Sequence, residues 1–562
     1  MLYLRSRDFS IHFLLLLSWS AVNFSVGKQK RQVLLQEPAE FRVWLDEKKF
    51  KRGETVLVRD AFLDAGALHT GGPAKDSSAE VTLGYQVPDR WDILWTTPTP
   101  GKLALPYLAA WQAVNLMPGL TAITRKDSLA SSVLGAFGEA SHGFLPPSFL
   151  LPRDLGSWRR WRDSAGCGGP PERRCLWVLK ANKHLGKGIA VLPREEAERE
   201  ATAPDRKYVL AQKYVGNPLL VNGRKFGIRL WVVMTSARPL RGYVHERGLV
   251  LFSSEEYSAS APNGSTAGHL TNAFQNAEGV VWALEDLRAH LGDAFGALWE
   301  SLRRISGLVL AAAVDECRRA AAAVKLRPGS GFQLLGLDFL IGADLRAWLI
   351  EANGTPSMSL YGADKVGTDV LRREKATMLR DLVRLIGVDR SVRGREARSR
   401  EQECSWDEGA GWDGGQCGPS AQQDDLPSAL AALADQASAE PGAEGRTGAD
   451  PSVQDLLCGG PAGSPAVPRD GCVRCLTPED IRMLSGLESE LSGRGGFLPV
   501  TSEFHGFCTG GPGAPAWNLT CTREDAVEAM WTKLRPPRHS SSGDSSEPAE
   551  AAALRMLASL VC

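Results

Sequence analysis

The sequence predicts a mixed α/β (α+β) fold, and three kinds of stretch carry that prediction. Within Gly331–Ser357, the apolar runs LLGLDFLI and AWLIEAN flank a short polar turn, which is typical of a β-hairpin. Lys225–Thr235 and Gly242–Phe252 are further apolar runs that predict two long strands. Val280–Ala323 repeats its apolar residues with a spacing near 3.6, which indicates helix.

Length and composition divide the chain before any motif is considered. With 562 residues, the chain is too long for one hydrophobic core. Its 65 basic and 65 acidic residues balance, which argues against bulk binding of nucleic acid. We predict an apolar amino-terminal segment over 1–27, a small α/β domain over 28–125, a central two-lobed core over 126–390, a low-complexity linker over 391–470 and a cysteine-containing segment over 471–562.

The amino terminus and the cysteines bear on the cellular compartment. Two arginines precede the apolar run Ile11–Val22, a pattern typical of a secretory signal peptide, and a buried amino-terminal segment is the alternative. Eight of the eleven cysteines follow residue 400, and in a secreted chain they would form disulfides. Cys472 and Cys475 form the one close pair, which alone is a weak signal for zinc.

Local patterns place the remaining elements along the chain. Shorter strands are expected at Phe41–Leu45, Thr55–Val58, Asp92–Trp95, Cys175–Lys180 and Tyr208–Val215. Helices are expected at Ser128–Phe137, Thr368–Ile386, Ala526–Leu534 and Ala551–Leu560. Asn222-Gly223 predicts a tight hairpin turn. Thr477-Pro478 predicts the start of another helix, which reaches about Leu491, because threonine caps helices well and proline suits the first helical position.

The predicted hairpin carries three polar residues inside otherwise apolar runs. Glu351 and Asn353 are two residues apart on one strand and share a face, and Asp338 on the other strand can lie across from them. Three oxygen ligands of this kind suit Mg²⁺, completed by phosphate and water. A hairpin with one solvated face is the simpler interpretation of the two acids alone. Because an unpaired carboxylate inside an apolar run is costly, their placement favours the metal site.

Lysines elsewhere in the chain are placed to meet phosphate groups. Lys180 ends a strand and precedes the loop Asn182–Ile189, whose glycines let backbone N–H groups approach a ligand. The loop does not match the GxxxxGK[ST] phosphate motif, and such loops are often plain surface turns. Gln212–Val215 is expected to form a hinge beside an adenine ring. Lys225 and Arg229 are four residues apart on a strand and therefore share a face.

Ten short motifs occur in order over roughly residues 90–390. They are WDILW, NLMPG, RKD, WVLK with GKGI, QKYV, RKFGIR, SSEEY, HLTN, GLDF and LIEANGTPS. Each motif is weak alone, whereas ten in one order are specific. In this order the chain resembles the tubulin tyrosine ligase-like family, and a helix after Leu476 is similar to one in its glutamylase-type members. The resemblance implies an ATP-grasp fold, ATP and Mg²⁺ as cofactors, and ligation of an amino acid to a protein carboxylate through an acyl-phosphate.

The resemblance also implies roles for individual residues of this chain. Those expected to bind ATP are Lys126, Lys180, Lys187, Gly188, Gln212, Lys213, Val215, Lys225, Thr271 and Asn272. Those expected to bind Mg²⁺ are Asp338, Glu351 and Asn353. Lys225 and Arg229 are expected to be catalytic, with Arg229 receiving the carboxylate of the incoming amino acid.

The chain departs from the family pattern at two positions. Gly227 stands where the family strand usually has aspartate, and Leu251 stands where it usually has arginine. Arg247 lies four residues before Leu251, about 13 Å along a strand, so neither it nor the more distant Arg241 can substitute without a register shift. The two changes imply either an altered substrate or a protein that binds nucleotide without turnover.

Two classes of function follow. The first is a ligase that adds an amino acid, glutamate above all, to an acidic protein tail such as that of tubulin. The second is a nucleotide-binding pseudoenzyme that acts as a microtubule-associated interaction protein. Ten basic against five acidic residues over 369–400 suit an acidic partner, although a solvated helix face would show the same charge. The resemblance implies the cytoplasm, at microtubules or a cilium, and the signal-like residues 1–27 give the secretory pathway as the alternative.

Overall fold

The computed structural model describes most of the predicted core and part of the carboxy-terminal segment. The described residues are 40–47, 50, 53–70, 90–164, 176–182, 188–204, 207–258, 268, 280–360, 365–392, 477–509 and 516–534. The predicted signal-like residues 1–27, nearly all of the predicted linker and the helix expected near residues 551–560 lie outside them. Within the described part of the chain, no helix is both long and apolar enough to cross a membrane.

The amino-terminal part forms a small parallel sheet. Its strands, in the spatial order β2-β1-β3-β4, are β1 Arg42–Leu45, β2 Leu68–His69, β3 Ile93–Trp95 and β4 Ala113–Val114. The connecting helices are α1 Val56–Asp64 and α2 Pro98–Ala104. The sheet is joined to the hairpin region, because Val114 forms a parallel bridge with Gly331. The small α/β unit is therefore continuous with the rest of the fold.

A second small sheet is antiparallel and lies beside the candidate site. Its strands, in the order β5-β8-β6-β7, are β5 Ser148–Leu150, β6 Leu176–Lys180, β7 Ile189–Pro193 and β8 Leu210–Lys213. The helices that follow β5 and β7 are α5 Leu155–Ser164 and α6 Arg194–Thr202. Aromatic side chains hold α5 on the sheet, since Trp158 and Trp177 meet edge to face with 5.2 Å between ring centroids.

The central sheet is antiparallel and contains seven strands. Its members are β9 Leu220–Val221, β10 Arg224–Ala237, β11 Leu240–Phe252, β12 Val281–Ala283, β13 Gln333–Ile341, β14 Ala347–Asn353 and β15 Phe497–Pro499. The main path runs β12-β11-β10-β13-β14, with β9 paired to β10 and β15 paired to β11. The turn between β9 and β10 is the predicted one, with positive φ at both Asn222 and Gly223.

Helices cover both faces of the central sheet. They are α3 Thr121–Thr124, α4 Lys126–Phe137, α7 Leu284–Leu291, α8 Ala294–Ala323 and α9 Lys365–Leu385. Alternate residues of β10 face opposite sides: Leu230 and Val232 join the cluster that contains α8, whereas Val233 packs with α9. Each such fully buried side chain contributes about 1.5–3 kcal/mol by leaving water. Alternation on β10 therefore builds two cores and places Arg229 on the α9 side.

The carboxy-terminal segment is part of this architecture rather than a separate appendage. Its helices are α10 Pro478–Gly493, α11 Ser502–Cys508 and α12 Arg523–Leu534. The predicted start of α10 is confirmed, because the Thr477 hydroxyl accepts from the Asp480 backbone N–H at 3.2 Å. Arg241 of β11 donates to Glu528 of α12 at 2.7 Å and contacts Glu490 of α10 at 3.3 Å. No local pattern predicted that β15 would extend the central sheet.

Two predicted elements are wrong in type. Thr55–Val58 was expected as a strand, but Val56 begins helix α1, because the following residues Leu57, Val58, Ala61 and Phe62 bury one helical face in the core. The predicted helix over Val280–Ala323 begins instead with strand β12, which pairs with β11, and is interrupted at Gly292 with φ of 54°. In both places tertiary contacts override a local pattern.

Arg241 supplies a test of how the carboxy-terminal helices are held. Its side chain is 7% exposed and that of Glu528 is 3% exposed. Arg241→Met should lower the free energy of unfolding by about 3–5 kcal/mol, because it leaves the buried Glu528 carboxylate and the half-buried Glu490 carboxylate without their cation. Arg304→Met, which removes an exposed ion pair with Glu503, should cost under about 1 kcal/mol. Denaturant titrations compare the two variants, and equal losses would contradict this account of the interface.

Candidate active site

The β13–β14 hairpin brings its two acids into register. Asp338 is paired with Glu351, and Gly336 is paired with Asn353, across the antiparallel strands. A bulge follows the Asp338–Glu351 pair, so the ladder changes register toward the turn. Directly paired residues have Cβ atoms about 4.5–5.5 Å apart, and two like charges there repel one another. The predicted hairpin and the predicted juxtaposition of its polar residues are confirmed.

Asp338 is surrounded by donors. Arg229 of β10 makes a two-pronged ion pair with it, with Nη2 at 2.7 Å from Oδ2, and the Asn353 amide donates to the same oxygen at 3.1 Å. Burial raises the pKa of the Asp338 carboxyl above its usual range, and the Arg229 guanidinium opposes that rise. Asp338, Arg229 and Asn353 therefore form one polar cluster on the α9 side of the sheet.

Two lysines from other elements meet the hairpin at Glu351. The Lys126 ammonium, on the first residue of α4, lies 3.2 Å from Glu351 Oε1. The Lys180 ammonium, at the end of β6, donates to the carbonyl of Ile350 at 3.1 Å. Burial lowers the pKa of Lys180 to about 8, while Glu351 opposes that shift. Two separate elements thus bring one ammonium group to the Glu351 carboxylate and a second to the backbone directly before it.

The donor set fits a hard divalent cation. Two carboxylates and an amide oxygen belong to neighbouring positions of one hairpin, and the protein already balances the acids with Arg229 and Lys126. Across the described residues, no group of three or more His, Cys, Asp or Glu side chains could hold a metal ion. A metal here would therefore depend on Asn353, phosphate oxygens or water to complete its coordination. Binding of Mg²⁺ by these residues stays a prediction.

A pocket between α4 and the hairpin contains several of the predicted nucleotide residues. Its polar lining includes Lys126, Lys180, Gln212 and Glu351. Gln212 lies on β8, the strand between β5 and β6, and its amide donates to the Ser148 hydroxyl at 2.8 Å. Apolar walls come from α4, the connection before β5, β8 and the hairpin: Leu129, Ala130, Leu145, Leu210, Ile350 and Ala352.

The other predicted nucleotide residues do not line this pocket, and three of them fall outside the described chain. Lys213 is half-buried at the end of β8, with its ammonium 5.4 Å from the Trp161 ring centroid. Val215 follows that strand and is half-buried. Gly188 precedes β7 with φ of 77°, a conformation that favours glycine. Lys187, Thr271 and Asn272 fall outside the residues that the structure describes.

Lys225 occupies a more enclosed position than the sequence indicated. It is 1% exposed, and its ammonium donates to the Tyr214 hydroxyl at 3.1 Å. The ammonium also lies 4.4 Å from the Tyr214 ring centroid, a cation–π distance. Burial lowers the pKa of Lys225 to about 7. The structure thus places Lys225 beside Tyr214, on the β9 side of the site.

Glu54 and Lys375 are site-supporting residues that the sequence did not reveal. The Glu54 carboxylate accepts from the Ser357 hydroxyl and the Met358 backbone N–H, both at 2.7 Å. The buried Lys375 ammonium of α9 donates to the carbonyl of Ser359 at 2.6 Å. The segment that follows β14 is therefore held from two sides. Neither residue stands in a recognisable motif, so only the fold could identify them.

Gln333 links the NLMPG motif to the residue that follows β14. Its side-chain oxygen accepts from the Met117 backbone N–H at 3.0 Å, and its amide donates to the Gly354 carbonyl at 2.8 Å. Gly119 closes the same motif with φ of 89°, and a Cβ there would lie 2.6 Å from the Cys317 backbone. The motif needs glycine because α8 passes directly over it.

Comparison with known proteins agrees with this geometry. Residues 105–391, about half of the chain, match the profile of the Tubulin-tyrosine ligase family. The chain belongs to the tubulin-tyrosine ligase family. Membership confirms the ATP-grasp fold class that the ten motifs predict.

Several members of the family are similar to the chain over the same region. Human "Tubulin monoglutamylase TTLL4" is 31% identical over 302 residues, which are 49% of this chain and 23% of that protein. Human "Probable tubulin polyglutamylase TTLL2" is 28% identical over 322 residues, 53% of this chain and 50% of that protein. "Tubulin polyglutamylase ttll-5" of Caenorhabditis elegans is 26% identical over 355 residues, 57% of this chain and 46% of that protein. The chain thus spans between about a quarter and a half of these relatives.

The two departures from the usual pattern of the tubulin-tyrosine ligase family are neighbours in space. Gly227 of β10 is paired directly with Leu251 of β11. Neither candidate substitute is available at that pair. Arg241 is held by Glu528 and Glu490 of the carboxy-terminal helices, and Arg247 lies 3.3 Å from Glu374 of α9. The two departures therefore fall on a single cross-strand pair.

The buried ammonium of Lys225 predicts a dependence of stability on pH. Its pKa is about 7 in the folded chain against an ordinary 10.5, so above pH 7 the unfolded chain binds more protons. The free energy of unfolding should therefore rise with pH between 7 and 10. Lys225→Met should reduce that slope by up to about 1.4 kcal/mol per pH unit. Denaturant titrations at pH values of about 7.5, 8.5 and 9.5 measure the slope.

Lys102→Met is the matched control, because Lys102 is an exposed lysine of α2. Its slope should equal that of the unchanged protein. If the pH slope of Lys225→Met equals that of the unchanged protein, the Lys225 ammonium is not desolvated.

Proposed function

We propose that the chain is an ATP- and Mg²⁺-dependent ligase that adds an amino acid, glutamate above all, to a carboxylate of an acidic protein tail. The observation that carries the proposal is the meeting of Asp338, Glu351 and Asn353 with Lys126 and Lys180 in a member of the tubulin-tyrosine ligase family. Acids from one hairpin and cations from two other elements form a site for a metal-bound triphosphate.

The metal-binding role falls to the hairpin. Asp338, Glu351 and Asn353 would hold Mg²⁺, which supplies charge neutralisation and orientation of the phosphate groups. Arg229, now paired with Asp338, would be released when the metal takes over that carboxylate. The freed guanidinium is then available for the carboxylate of the incoming amino acid, which it can bind in the same two-pronged way.

The nucleotide would occupy the pocket between α4 and the hairpin. Lys126 and Lys180 would contact phosphates, and Lys126 stands at the start of α4, where the helix dipole also favours an anion. Gln212, Lys213 and Val215 would line the adenine side, with Lys225 nearby. Lys187, Gly188, Thr271 and Asn272 complete the proposed set on the basis of the family motifs.

The reaction would proceed in two displacements. An oxygen of the acceptor carboxylate attacks the γ-phosphorus of ATP, and ADP leaves. The amine of the incoming amino acid then attacks the acyl carbon, inorganic phosphate leaves with the C–O bond electrons, and the nitrogen loses a proton. The residues of this chain contribute position and charge rather than a covalent intermediate.

An acidic tail, such as that of tubulin, is the proposed acceptor. The relatives are named as tubulin glutamylases, and exposed arginines of α9 offer complementary charge. Arg373, Arg380 and Arg384 are exposed and recur at helical spacing along one stripe. Electrostatic attraction of this kind speeds encounter and weakens with salt. A tubulin substrate would place the protein in the cytoplasm, at microtubules or a cilium.

Ligation is tested with the purified full chain, tubulin, ATP, Mg²⁺ and labelled glutamate, glycine or tyrosine. Label should enter tubulin. Asp338→Asn should lower the rate of ligation at least about a hundredfold, because it removes a carboxylate ligand from the Mg²⁺ that neutralises the phosphate charge. Asp344→Asn is the matched control, since Asp344 lies exposed on the same hairpin. Thermal unfolding establishes that both variants are folded. No incorporation of any of the three amino acids would reject ligase activity.

A pseudoenzyme that binds nucleotide and microtubules is the second candidate, and the Gly227–Leu251 pair favours it. Where the family pattern has an acid and a base, this chain has no charge on either strand at this point. Such a protein should be stabilised thermally by ATP and Mg²⁺ without turnover. Measurable ligation by the unchanged chain would end this alternative.

Restoring the pair separates the two candidates further. If the chain is a pseudoenzyme, Gly227→Asp with Leu251→Arg should create ligation, because the introduced acid and base face each other across two strands. Each single variant leaves one charge unbalanced and should remain inactive. Comparing the ligation rates of the unchanged chain, the two single variants and the double variant then measures the coupling between the two positions. If the unchanged chain is active, the double variant should instead change the preferred amino acid in a competition assay.

A further inference from the structure

The carboxy-terminal segment presents one asparagine outward from an extended stretch between α11 and α12. In residues 516–520, Trp517 and Leu519 are half-buried, whereas Asn518 and Thr520 are exposed. The Trp517 ring lies 5.2 Å from that of Phe137 and 5.3 Å from that of Phe507, measured between centroids. Alternate residues thus anchor the stretch and leave Asn518 and Thr520 on its outer side.

The surroundings of Asn518 leave room for a bulky group. Its backbone N–H donates to the carbonyl of Ala136 at 2.9 Å, which fixes the main chain, and its amide makes a long contact of 3.4 Å to the carbonyl of Gly135. A Cβ built on Gly135 would meet no atom within 4 Å, so the surface of α4 is uncovered at this residue. Asn518-Leu519-Thr520 also has the sequence of an N-glycosylation acceptor.

A disulfide beside this sequence is the second, independent observation. Cys508 at the end of α11 is bonded to Cys521, the residue directly after Thr520. Disulfides form and persist in the secretory pathway and are rare in the reducing cytosol. Asparagine-linked glycans are likewise a feature of secreted chains. The signal-like residues 1–27 predicted from the sequence agree with that compartment.

We propose that Asn518 carries an N-linked glycan and that the chain acquires it in the oxidising compartment where Cys508 and Cys521 are joined. The donor class is an oligosaccharide on a lipid pyrophosphate. The bond between the first sugar carbon and the phosphate oxygen breaks, that carbon bonds to Asn518 Nδ2, the amide loses one proton, and the lipid pyrophosphate leaves. The substituted amide keeps one N–H for the carbonyl of Gly135.

The glycan would not obstruct the candidate active site. Lys126 begins α4, and Gly135, beside Asn518, lies nine residues further along that helix. At 1.5 Å per residue the two positions are about 14 Å apart along the helix axis. The glycan therefore goes beyond the proposed ligase function and does not depend on it. A chain in that oxidising compartment would meet acidic proteins other than tubulin. On this proposal such a protein is the acceptor, and the cytoplasmic location that a tubulin substrate would require does not hold.

The test expresses the full chain with its own amino terminus in animal cells. Free thiols are alkylated before denaturation, and peptides are analysed after enzymatic release of N-linked glycans, which converts a glycosylated asparagine to aspartate. The expected result is conversion at position 518, with Cys508 and Cys521 recovered as a linked, unalkylated pair.

Two variants sharpen the test. Asn518→Gln should remove the corresponding increment in gel mobility on glycan release, whereas Thr520→Ser keeps an acceptor sequence and should retain it. An unmodified Asn518 in the unchanged chain overturns the proposal whatever the state of the cysteines, and alkylated Cys508 and Cys521 overturn the shared compartment. Ligation is assayed separately on purified protein, so failure of the glycan proposal leaves the proposed activity standing, and the reverse.

Discussion

Repulsion between two facing carboxylates is the constraint on which the site depends. Asp338 and Glu351 are directly paired across β13 and β14, where like charges oppose folding. Cations from elements distant in sequence neutralise the two carboxylates: Arg229 of β10 pairs with Asp338, and Lys126 of α4 pairs with Glu351. Because each cation comes from a different element, the same charges that permit the hairpin also fix the arrangement of the lobes around it.

Support for this charge cluster reaches well beyond the pocket. Glu54 from the amino-terminal unit and Lys375 from α9 hold the segment that follows β14, and Gln333 joins the beginning of that segment to the NLMPG motif. A site that holds two like charges side by side tolerates little movement, so its supporting contacts come from several layers of the fold. The amino-terminal sheet is thus part of the site's framework.

Sequence patterns predicted the regular elements and the polar hairpin well. Register on β13 and β14 follows from alternation, and the α10 cap follows from Thr477 and Pro478, because both signals are local. The type of Thr55–Val58 could not be predicted, since a short β-branched run becomes helix only through burial of α1. Glu54 and the pairing of β15 with β11 could not be predicted, because each depends on residues more than a hundred positions apart. Lys375 contacts Ser359 across a separation of 16 residues, and no sequence motif marks that contact.

The docking of β15 and the last three helices on the central sheet has a consequence for fragments of the chain. Residues 40–392 hold the framework of the candidate site, while residues 477–534 contain their own disulfide and return to cover β11. The two pieces are held together by side-chain contacts such as those of Arg241 with Glu490 and Glu528, and these contacts do not require an unbroken main chain. A chain nicked by a protease between them should stay associated as a two-piece complex, and separately produced halves should complement each other in solution.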